Sequence, residues 1–144
     1  MVLKREVVER RLEELGTTLE RLSRHRQVSF DDYRSDPDLR WIVERGLLNA
    51  ATLVFDIADH VLSGHFGRHS ETYQASLDGL REEHVIPRDL HEDLEGLGGF
   101  RNLLVHEYLE LDSGEVHQHF QSAFEVFPRF ASAVLAWLEE IDAS

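Results

Sequence analysis

Apolar residues recur at intervals of three and four along almost the whole chain, and this period restricts it to helices. Val8, Leu12, Leu15, Leu19 and Leu22 fall on one stripe of a first helix whose other faces are Arg and Glu. Leu39, Ile42, Val43, Leu47, Ala50, Val54, Ile57 and Val61 form a second, wider stripe in a run of about 27 residues ending near Gly64 and Gly67. Its start is marked by Ser35 or Asp36 as N-cap and Pro37 at the first helical position. Between the two stripes, "SFDDYRSDPD" reads as a polar connector. Gly46, inside the second stripe, is either tolerated or marks a close helix approach.

A shorter helix is expected over "SETYQASLDGLREEHV", and another from Pro87 onward. "GLGG" at 96–99 is a poor helix interior. The last helix opens near "DSGEV" and carries Phe120, Phe124, Phe127, Ala131, Val134, Leu138 and Ile141, with Pro128 predicting a kink or a break. No stretch alternates with the period of two that a strand requires. The expected fold is therefore all-α, an up-down bundle of four to six helices in a single domain spanning 1–144.

The chain has no cysteine, which excludes disulfides and thiolate-ligated zinc. Its opening, "MVLKREVVERRLEELG", is charged throughout and does not read as a signal peptide, so the cytoplasm is the expected compartment. A formal net charge of -13 opposes nonspecific binding to nucleic acid or acidic membrane, because such binding needs cations to neutralise phosphates.

The segment that departs from a plain amphipathic pattern is "GGFRNLLVHEYLELD". Placed on a helix, Phe100, Leu103, Leu104, Leu111 and Tyr108 share one arc, while Arg101, Val105, Leu109, Asn102 and His106 share the opposite one. A solvated face does not interleave Val and Leu with such polar groups, so a second surface is expected to pack there. Another copy of the chain is the simplest partner. An interface or capping role accounts for Arg101 and His106 by themselves. Chemistry on phosphodiesters also suits them, since imidazole moves protons near neutral pH and guanidinium presents a fixed fork of donors to phosphate oxygens.

In Arg101, Asn102, His106 and Tyr108 the segment resembles the HEPN domains, and specifically the HepT toxins. The likeness extends through "YQASLDGLREEHVIPRDLHEDLEGLGGFRNLLVHEYLELD" and into "ERGLLNAATLVFDIADHVL", covering about residues 5 to 140. The resemblance implies a metal-independent endoribonuclease, working as a homodimer without a cofactor, in the toxin half of a type II toxin-antitoxin pair. It implies that His106 assists proton transfer as the RNA 2'-hydroxyl attacks phosphorus, that Arg101 stabilises charge on the phosphoryl oxygens, and that Asn102 orients one of them. It further implies an MntA-type nucleotidyltransferase antitoxin that transfers AMP to Tyr108, a residue that simple packing also explains. The alternative reading is a noncatalytic HEPN module that binds nucleotide or docks such a partner.

Other candidates carry less. His65 and His69, and His117 and His119, read as surface histidines. Asp56, Asp59 and His60 in "FDIADH" either stand near the cleft or make a buried hydrogen bond that orients helices. Arg40 and Arg45 are possible helpers for Arg101 against the acidic surface. No metal site is expected from these spacings, and "GLGGFRN" lacks the strand that a phosphate-binding glycine loop follows.

Overall fold

The computed structural model describes residues 3–106 and 111–143. Seven helices make up the described chain: α1 (Arg5–Ser23), α2 (Phe30–Ser35), α3 (Pro37–Phe66), α4 (Tyr73–Glu82), α5 (Arg88–Leu94), α6 (Leu97–His106) and α7 (Ser113–Ala143). The all-α bundle is as the period requires. No helix among the described residues is long and apolar enough to cross a membrane.

Helix α3 is central and packs against α1, α2, α4, α6 and α7. Its buried face, from Val43 through Leu62, meets Leu15 and Leu22 of α1, Leu77 and Leu80 of α4, Phe100 and Leu104 of α6, and Phe120, Phe130 and Val134 of α7 in one core. Burial of these side chains at about 25 cal/mol per Å² is the main stabilising contribution. Gly46 marks the close approach of α1 and α3, since a Cβ there would stand 2.5 Å from Leu22 Cδ2.

The helix ends follow their caps. Asp36 accepts hydrogen bonds from the Asp38 and Leu39 amides, with Pro37 in the first turn. Gly67, at φ 64°, closes α3, and the Arg68 amide donates to the Leu62 carbonyl. The expected connector is not irregular: Ser29 caps α2 by accepting from Asp32, and this short helix buries Tyr33. Helix α7 runs through the exposed Pro128 without the break that proline invites. Its stripe of Phe120, Ala123, Phe127, Phe130 and Val134 stays buried on both sides of the proline, and that burial offsets the lost hydrogen bond.

Candidate functional site

Helix α6 owes its position to Gly96 and Gly98. Gly96 takes φ 85°, a left-handed conformation that separates α5 from α6 and that glycine adopts without strain. Gly98 lies against α4, where a Cβ would stand 2.6 Å from Tyr73 Cβ. With Leu97, Phe100 and Leu104 buried, the helix turns Asn102, Val105 and His106 outward and leaves Arg101 at the edge of the core. Of the two arcs expected from the helical period, Phe100 and Leu104 are buried on one and Asn102, Val105 and His106 exposed on the other, with Val105 37% exposed, while Leu103 and Arg101 are half-buried between them and Leu111 lies beyond the end of α6. Tyr108 and Leu109 lie outside the described residues.

Arg101 is held partly out of solvent. Its guanidinium carbon sits 5.1 Å from the ring centroid of Tyr73, inside the range of a cation–π contact. Its Nη1 donates to Asn102 Oδ1 at 3.5 Å, at the outer limit of a hydrogen bond. Its Nε is buried with no hydrogen-bond partner among the described residues. Tyr73 in turn packs against Phe55 of α3, with ring centroids 4.5 Å apart. His106, the last described residue of α6, stands exposed one turn beyond Asn102.

A cavity of about 730 Å³ opens beside Asn102, lined among others by Asp56, Asp59, Tyr73, Gln74 and Gly99. Asp56 and Asp59 therefore stand at the cavity beside Asn102, and both are exposed. His60 is turned elsewhere and accepts from the Lys4 amide at 3.2 Å. Arg40 lies by Glu44 and Tyr33: burial raises the Glu44 carboxyl, and the Arg40 charge opposes that rise. Arg45 is exposed on α3.

The expectation of surface histidines fails for His117 and His119. His117 is partly buried, with ring centroids of Phe30 and Tyr33 each 5.6 Å away. His119 stacks on Phe100 at 3.7 Å, and burial pushes its pKa below the ordinary value of 6.5 while Glu115 pulls the other way. The cause is α7, whose first turns cover α2 and the back of α6. Tyr73, which touches Arg101 and lines the cavity, was not singled out by sequence reasoning; its place directly after the Thr72 cap at the start of α4 carries no local signal of that contact.

Among the described residues, no three His, Asp or Glu side chains are grouped as a metal ion would need.

The profile of the family described as Ribonuclease HepT-like matches residues 5–134. A curated relative, the tRNA nuclease HepT of Aphanizomenon flos-aquae (strain 2012/KM1/D3), is 29% identical over 133 residues, which cover 92% of this chain and 90% of the relative. Among solved structures, the cytosolic protein YutE from Bacillus subtilis has a TM-score of 0.84 at 20% identity, over 97% of this chain and 94% of its own. The tri-AMPylated HEPN toxin of Shewanella oneidensis, solved in complex with the MNT antitoxin, has a TM-score of 0.82 at 21% identity, over 92% of this chain and 99% of the toxin. These likenesses extend over nearly the whole chain and establish a shared helical fold.

Proposed function

Because the chain belongs to the Ribonuclease HepT-like family, we propose that it is an endoribonuclease toxin that acts as a homodimer and is silenced by a nucleotidyltransferase antitoxin of the MntA type. The observation that carries this reading is the outward face of α6. It presents Arg101, Asn102 and His106 around Val105, an apolar residue that a second copy of the chain would cover. Two such faces meeting about a two-fold axis form one cleft with two of each polar side chain.

In that cleft the chemistry needs no divalent ion. The RNA 2'-oxygen attacks the adjacent phosphorus as its proton passes to an imidazole of His106, and the 5'-oxygen leaves with a proton supplied in the cleft. Arg101 stabilises the charge that grows on the phosphoryl oxygens, and Asn102 orients one of them. The products are a 2',3'-cyclic phosphate and a 5'-hydroxyl. AMP attached to Tyr108, two residues beyond His106, adds bulk and negative charge where the RNA phosphate enters, and so blocks it. The likeness to a HEPN toxin described as tri-AMPylated and bound to an antitoxin supports this part of the reading.

The test is cleavage of RNA by the chain expressed without its partner, in EDTA, with His106→Ala as control. Cleavage that persists in EDTA and is lost in a folded His106→Ala dimer supports the proposal. A second reading, a noncatalytic docking module, is favoured by the carboxylates of Asp56 and Asp59 in the cavity beside Asn102 and by the net charge of -13. That reading stands if the partner binds tightly and the free chain leaves every RNA intact.

A further inference from the structure

We propose that Tyr73 is a positioning residue for Arg101: its ring is the platform that fixes the guanidinium in the orientation the cleft requires. The inference rests on the nuclease reading for its consequence and on geometry for the platform itself.

An arginine on a helix surface has many rotamers open to it, and that freedom must be given up before its fork of donors can meet a phosphate. In this chain that loss is met in the fold. The guanidinium carbon lies 5.1 Å from the Tyr73 centroid, Nη1 reaches Asn102, and Nε is already out of solvent.

Tyr73 is itself immobilised from three sides. It opens α4 directly after the Thr72 cap, which accepts from the Ala75 amide; its ring packs against Phe55; and its Cβ faces Gly98. Gly98 lies three residues before Arg101, on the same side of α6. The missing side chain at 98 is thus the gap through which the Tyr73 ring comes under residue 101.

The identity of the partner matters as much as its position. The chain has 28 Asp and Glu residues, and Arg5, Arg68 and Arg129 are all paired with carboxylates. Arg101 makes no such pair among the described residues and lies instead on a ring, as Arg26 does on Phe124. A carboxylate would neutralise the cation and compete with phosphate. An aromatic face orients the cation and leaves its charge in place.

The experiment compares Tyr73→Leu and Tyr73→Phe with the parent chain, each checked for an unchanged helical spectrum and dimer mass. The first readout is the side-chain Nε–Hε resonance of Arg101 in 15N-labelled protein, assigned by its loss in Arg101→Lys. Expected is a separate, ring-shifted peak that persists in Tyr73→Phe and collapses into the averaged arginine envelope in Tyr73→Leu. The second readout is RNA cleavage. Tyr73→Leu should lower kcat about three- to thirtyfold with little change in KM, and Tyr73→Phe should restore it to within about twofold. In an Arg101→Ala background, Tyr73→Leu should cost nothing further.

An Arg101 resonance unmoved by Tyr73→Leu overturns the platform, as does a loss of activity that adds in full to that of Arg101→Ala. If the parent chain cleaves no RNA, the nuclease reading fails instead, and the Arg101 resonance decides for or against the platform.

Discussion

The imidazole of His119 lies flat on the ring of Phe100, with centroids 3.7 Å apart and planes within 10° of parallel. Phe100 is the buried residue directly before Arg101, so this stack ties the start of α7 to the back of α6. Burial disfavours the charged imidazole, and the folded pKa of His119 lies below the unfolded one. Between those two values the unfolded chain binds more protons, so stability rises with pH there. Stability should therefore be lost as pH falls below about 6.5. Urea unfolding at neutral and mildly acidic pH checks this, and His119→Phe, which keeps a ring and removes the charge, should flatten that part of the profile.

Gly98 and Gly99 stand side by side on α6 and should respond oppositely to alanine. A Cβ at 98 meets Tyr73 Cβ at 2.6 Å, whereas one at 99 meets nothing within 4 Å. Gly98→Ala should destabilise by about 1–3 kcal/mol, because the contact is with a stem atom that cannot swing away. Gly99→Ala should be neutral or stabilise by up to about 1 kcal/mol, since alanine is the better helix former. Chemical denaturation of the two variants separates them.

The outward face of α6 should be an interface between copies of the chain. Val105→Glu places a charge on its exposed apolar residue and is expected to yield a monomer by light scattering at micromolar concentration, with the helical spectrum kept. A parent chain that is itself monomeric removes the composite cleft.

Cleavage should leave 2',3'-cyclic phosphate ends and survive EDTA. His106→Ala should lower the rate by about 10²- to 10⁴-fold, the usual contribution of one acid–base group. End-group analysis of the cut RNA reads both the chemistry and the loss. A strict requirement for magnesium or manganese contradicts the mechanism.

Coexpression with a nucleotidyltransferase partner should add the mass of one or more AMP groups to the peptide that contains Tyr108, as seen by intact and peptide mass spectrometry. Tyr108→Phe should keep ribonuclease activity and escape the partner. A Tyr108→Phe chain still silenced by a competent partner would place the block in steric docking.

The period of the apolar residues, a property of each segment alone, determined the all-α fold and the direction in which α6 turns its Asn and His. It determined also the Asp36–Pro37 start of α3, because caps act within one turn. Gly46 was legible only as a question, and the approach of Leu22 answered it. What periodicity does not carry is contact between segments far apart in the chain. Whether His119 meets water or Phe100 depends on where α7 crosses α6, and the connector became a helix because Tyr33 found a place in the core. The Tyr73–Arg101 pair spans 28 positions and exists only because α4 docks on α6 at a residue without a side chain. The sequence named the arginine by its local pattern; the docking of two helices decided what holds it.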